Sequence, residues 1–148
     1  MTQACRHLLL ILGDQLDTDS SIFNDIDPAL DVVLMIEAFE ESTHVWSHKA
    51  RTALFLSAMR HFAEQLKQRH FRVHYRALDQ ENDPTLADGL QAAMALFGPE
   101  RVIGVEPGDL RVRAMIEAAC KSAEAKPMPL EWREDKHFLC SLPQFRQW

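Results

Sequence analysis

Four groups of side chains in this sequence could act together on one ligand. Gly13-Asp14-Gln15 puts a tight turn, a carboxylate and an amide directly after the apolar run His7–Leu12. Glu37 closes a second apolar run and leads into Ala38-Phe39-Glu40-Glu41, and Glu106-Pro107-Gly108-Asp109 follows a third. His48 and Lys49 stand where a long helical pattern begins, and the backbone N–H groups at such a start favour anions. Carboxylates and amides can read the donors and acceptors of a planar polar ligand, and Phe39 or Trp46 can cover a ring face. This crowd of acids disfavours a bare phosphate and suits a neutral ring carrying N–H and hydroxyl groups. Neither GxGxxG nor GxxxxGK[ST] occurs, so dinucleotide or triphosphate binding by those routes has no support. The plainer reading, residue by residue, makes Asp14 and Asp109 turn or cap residues and Glu37 a solvated carboxylate.

Other chemistry is weaker. His44 and His48 have the i, i+4 spacing of a helical metal pair, but His44 precedes the helix and no third ligand is evident, so solvated histidines are the simpler reading. Ser57 reads as a small packing residue within a helix. Cys5, Cys120 and Cys140 lie far apart with no CxxC spacing, which fits reduced structural thiols in a cytoplasmic protein better than disulfides or zinc.

The elements that must position these groups follow from periodicity. Strands are expected at His7–Leu12, Val32–Glu37, Arg72–Ala77, Arg101–Val105 and Pro129–Trp132. The first two and the fourth are nearly all apolar, as strands buried on both faces of a parallel sheet are. Arg72–Ala77 alternates, so it belongs nearer an edge. The longest helix is expected from Ser47 to Arg69, with Phe55, Met59, Phe62 and Leu66 as its apolar stripe and Arg51, Arg60, Glu64, Lys67 and Gln68 off it. A second runs Leu86–Phe97 and stops at Gly98-Pro99. A third runs from Leu110 to Ala123 with Asp109 as N-cap. Ser141 and Pro143 mark the start of another, which reaches Phe145 and Trp148. Alternating strands and helices imply an α/β fold: a Rossmann-like, doubly wound, mostly parallel five-stranded sheet flanked by helices. In such sheets ligands bind at the carboxyl ends of the strands, where all four groups above fall.

The 148 residues suit one core. A formal charge of −6 argues against this segment holding nucleic acid through phosphate contacts. The apolar run near the amino terminus is too short for a signal core or a membrane span.

Several stretches together resemble a known family. LILGDQLD (Leu10–Asp17), VLMIEAFEE (Val33–Glu41), HKARTALFLSAMRHFAEQL (His48–Leu66), VHYRALDQEN (Val73–Asn82), VEPGDLRV (Val105–Val112) and EDKHFLCSLPQFRQW (Glu134–Trp148) are similar to the amino-terminal domain of the deoxyribodipyrimidine photolyase-related proteins, the iron–sulphur bacterial cryptochromes and photolyases. The resemblance implies a light-harvesting (antenna) domain over residues 1–133, with 134–148 beginning the connection to a helical domain. In the family that further domain binds FAD and an iron–sulphur cluster and acts on ultraviolet-damaged DNA. The resemblance also implies a ribityl lumazine as antenna pigment, held here by Gly13, Asp14, Gln15, Glu37, Phe39 and Glu106, with Lys49 at lower weight. Family members often carry two adjacent His before that Lys, and Ser47 replaces one of them. The segment itself is expected to be non-catalytic, with photolyase activity belonging to a full-length form. Partners implied are the pigment, the flavin domain and, through the full-length form, damaged DNA, with no membrane.

Two other readings come from different classes. One is a small α/β hydrolase or nucleotide-handling enzyme using Asp14 and Glu37, which would need a carboxylate of raised pKa or a bound metal. The other is an interaction module that docks a partner through Phe145 and Trp148, unless those rings pack back on the same domain.

Overall fold

The computed structural model describes residues 4–40, 48–79, 83–123 and 126–148. His44, Trp46 and Ser47 lie outside the described residues, as does the middle of the polar loop after the third strand.

Five strands form one sheet in the order β3-β2-β1-β4-β5, every neighbouring pair parallel. They are β1 (His7–Leu10), β2 (Val32–Ile36), β3 (Arg72–Arg76), β4 (Arg101–Val105) and β5 (Leu130–Arg133). Between them lie a 3-10 turn (Ser21–Phe23), α1 (Lys49–Gln68), α2 (Leu86–Phe97) and α3 (Leu110–Lys121), and α4 (Leu142–Phe145) follows β5. The doubly wound α/β expectation holds. β3 is the edge strand its alternation suggested, and β1 is central, where strand order reverses.

Alternation along the buried strands splits the core in two. Leu8, Leu10, Val32, Leu34, Ile36 and Val102 face α2 and α3, packing on Leu90, Met94, Phe97 and Ile116. Leu9, Ile11, Val33, Met35, Ile103 and Val105 face α1, packing on Met59, Phe62, Ala63 and Leu66. All five residues of β2 are buried because both faces are covered.

The helix ends follow local chemistry. His48 caps α1, its Nδ1 accepting from the Ala50 N–H at 3.2 Å. Thr85 and Asp88 form a reciprocal capping box at the start of α2. Gly98 closes α2 at φ 54°, in the left-handed region where a Cβ is costly. Asp109 caps α3, accepting from the Arg111 N–H at 2.8 Å. Ser57, expected to pack, is exposed. Phe145 and Trp148 do not pack back on the sheet and are exposed.

Candidate functional site

A cleft of about 380 Å³ opens over the carboxyl ends of β1, β2 and β4. Leu12, Gly13 and Asp14 bring the turn after β1 to it, Ile36, Glu37 and Ala38 the end of β2, and Pro107 and Asp109 the turn after β4. The first turns of α1 add Arg51, Thr52, Phe55, Leu56 and Met59, while Leu86 and Val112 come from the starts of α2 and α3. The cleft therefore lies where strand order reverses, the position that doubly wound sheets reserve for ligands.

Of the residues expected to read a ligand, Gly13, Asp14 and Glu37 line this cleft. Gln15, Phe39, Lys49 and Glu106 do not. Gln15 is buried and donates from Nε2 to the Val105 carbonyl at 3.2 Å, tying the β1 turn to the end of β4. Its Oε1 is buried without a hydrogen-bond partner among the described residues. Phe39 is exposed, its N–H donating to the Asp83 carbonyl at 3.2 Å. Lys49 is exposed on the first turn of α1. Glu106 turns away to pair with Arg113, which also binds Glu117 at 3.0 Å. Asp109 holds the place at the rim that Glu106 was expected to hold.

Glu37 is neither solvated nor a free carboxylate. Its side chain is fully buried and accepts hydrogen bonds at all four lone-pair positions. Oε1 accepts from Arg60 Nε at 2.7 Å and from the Tyr75 hydroxyl at 2.5 Å. Oε2 accepts from Arg60 Nη2 at 2.8 Å and from the Leu78 N–H at 2.9 Å. Burial alone would raise this carboxyl's pKa, but the bonds from Arg60, Tyr75 and Leu78 outweigh it and hold it below the usual range. The same contact raises the Tyr75 phenol, with burial as the larger cause. Glu37 thus fixes the floor of the cleft by locking β2, β3 and α1 together.

At the rim, Asp109 is held below the usual carboxylate range, first by the Arg111 N–H. The exposed side chains of Asp14 and Arg51 stand with it around an otherwise largely apolar interior. Sequence reasoning missed Arg51, Thr52, Phe55 and Leu56 as wall residues. The signal was present: 52, 55, 56 and 59 share one helical face, and that face begins beside His48 and Lys49.

The sequence pattern of the deoxyribodipyrimidine photo-lyase-related protein family matches residues 9–148 of this chain. A (6-4) photolyase from Agrobacterium fabrum (strain C58 / ATCC 33970) is 34% identical over 142 residues, which cover 95% of this chain. The chain spans 27% of that relative's length.

Proposed function

We propose that this chain, which belongs to the deoxyribodipyrimidine photolyase-related proteins, is a light-harvesting domain that holds a planar pigment in the cleft at the carboxyl edge of its sheet. The pigment proposed is a ribityl lumazine, whose chemistry when bound is to absorb light and pass the excitation to a flavin. The observation that carries this reading is the cleft itself, with its apolar interior and a few polar groups at its rim. Sites for small aromatic molecules have this make-up, and their volumes run from about 300 to 1,000 Å³. The residues fit such a guest: Phe55, Leu56 and Met59 offer apolar surface, while Asp14, Thr52 and Asp109 offer oxygens toward N–H and hydroxyl groups.

For the whole protein we propose the further parts the family implies: FAD and an iron–sulphur cluster in a helical domain beyond this segment, repair of damaged DNA as the activity, and a cytoplasmic location. Among the described residues no helix is long and apolar enough to cross a membrane.

The hydrolase alternative is less favoured on chemical grounds. Using Asp14 and Glu37, it needs a carboxylate of raised pKa or a bound metal, yet Glu37 is shifted down and no group of three or more His, Cys, Asp or Glu able to hold a metal lies among the described residues.

Titration of the 148-residue chain with a ribityl lumazine tests the proposal. Quenching of the pigment's fluorescence with a shifted absorption band at micromolar concentrations is expected. An unchanged spectrum at concentrations far above micromolar refutes it.

A further inference from the structure

The apolar stripe of α1 ends in an anomaly. Met59, Phe62 and Leu66 are 3%, 5% and 0% exposed, but Phe55, the next member toward the amino terminus, is 47% exposed. The stripe has run past the edge of the sheet, and its last ring lines the cleft. Exposure alone does not mark the residue, since Leu54 beside it is more exposed and does not line the cleft. The distinguishing contact is with Gly13. A Cβ at position 13 would stand 2.5 Å from Phe55 Cε1, 2.7 Å from its Cζ and 2.8 Å from Met59 Sδ. Gly98, and not Gly13, is the glycine with positive φ among the described residues, so the backbone at 13 is open to any residue. Any side chain there would push the Phe55 ring and the Met59 sulfur from their places. The bare turn after β1 is what allows a phenyl ring to rest on it.

We infer that Phe55, seated on Gly13, determines the specificity of the cleft by admitting a two-ring heteroaromatic of the lumazine class and excluding the three-ring flavin class. The inference rests on the pigment reading above. A flavin's isoalloxazine is the lumazine ring system with one more benzenoid ring fused to it. The cleft's volume of about 380 Å³ lies near the lower end of small-molecule sites. Phe55→Ala removes one phenyl group from its wall, a six-membered carbocycle like the benzenoid ring by which flavin exceeds lumazine.

The test uses the 148-residue chain and its Phe55→Ala, Phe55→Leu and Gly13→Ala variants, each titrated with a ribityl lumazine and with riboflavin by ligand fluorescence. Far-ultraviolet circular dichroism and a thermal melt check the fold of each. The unaltered chain should prefer the lumazine at least tenfold in Kd. Phe55→Ala should cut that preference at least tenfold, mainly through tighter riboflavin binding. If Phe55→Ala does not fold, Phe55→Leu carries the same test with a smaller shift in the same direction. Gly13→Ala should displace the ring into the cleft and weaken lumazine binding at least tenfold in a folded protein. A folded Phe55 variant with an unchanged preference overturns the role of Phe55 and leaves the pigment reading standing, as does wild-type lumazine affinity in a folded Gly13→Ala. An unaltered chain that binds neither ligand overturns both.

Discussion

Glu37→Gln tests whether the buried carboxylate is the clamp that sets the floor of the cleft. The substitution keeps the shape and removes the charge. Its best rotamer keeps the amide oxygen on Arg60 Nη2 and the Leu78 N–H, now 2.8 and 2.9 Å from Oε2. The amide nitrogen then takes the place of Oε1. The Tyr75 hydroxyl can turn to accept from it, but Arg60 Nε cannot, so donor meets donor where a 2.7 Å bond stood. One hydrogen bond to a charged group, worth about 1.5–3 kcal/mol, is lost, and the surviving Arg60 bond loses its charge assistance. Arg60 is 50% exposed and can turn to water or to Asp79, 3.3 Å away, which limits the cost. The expected destabilisation is about 2–3 kcal/mol, a fall in Tm of roughly 6–9 °C for a chain of this size. The pH dependence supplies an independent check. Because the folded-state pKa of Glu37 lies below its ordinary 4.5, its contribution is present in full above that value. It is lost as pH falls through the folded pKa. The gap in Tm between the native chain and Glu37→Gln should therefore be widest at neutral pH and narrow below about pH 4.5. Other lowered carboxylates, such as Asp31 and Glu131, are common to both proteins and cancel. A gap under about 2 °C at pH 7, or one that stays constant down to pH 3, refutes the clamp.

Two further outcomes follow from single features. Gly98→Ala forces a Cβ onto a residue at φ 54° with nothing within 4 Å of it, so the cost is conformational alone, about 1–2 kcal/mol, and is read as a lower urea midpoint. A thiol reagent should label Cys140 at once, since it is exposed, while Cys5 and Cys120 are buried with thiols pushed up to about 11 and should react only as the fold opens; rapid labelling of more than one thiol in the native state would contradict that.

Much of the fold was legible because its strands announce themselves chemically. β1, β2 and β4 are runs with no polar alternation, which only a sheet covered on both faces accommodates. Their exact ends were less legible, since pairing decides them. β5 was expected at Pro129–Trp132 but runs Leu130–Arg133, where Val102 to Val105 of β4 supply partners in register. The cleft's place was legible from topology, and the destinations of its charges were not. Arg60 lies off the apolar stripe and reads as solvated, yet its guanidinium reaches Glu37, 23 positions earlier. Glu106 looks equivalent to Asp14 and Asp109 in sequence, yet Arg113, one helical stretch later, captures it. Ion pairs of this kind depend on which elements meet in space, and periodicity carries no information about that.

The commitment of those two carboxylates changes what kind of recognition the edge can offer. Three acidic turns in a row suggested a rim that reads a guest by charge and hydrogen bonds. Glu37 lines the cleft but is filled by its own fold, and Glu106 is paired with Arg113, so among the described residues Asp14 and Asp109 are the carboxylates at the rim, with Arg51 lining the cleft beside them as a counter-charge. An exposed rim of this sort is screened by water and salt and discriminates weakly. Shape discriminates strongly, because close-packed apolar walls respond to a single added ring. The wall that faces Gly13 comes from α1, which the Glu37–Arg60 clamp ties to β2 and whose Phe55 ring rests where Gly13 has no side chain. On the proposed reading, the acid that sequence alone presents as a ligand reader acts one step back, by fixing the helix whose ring selects the guest.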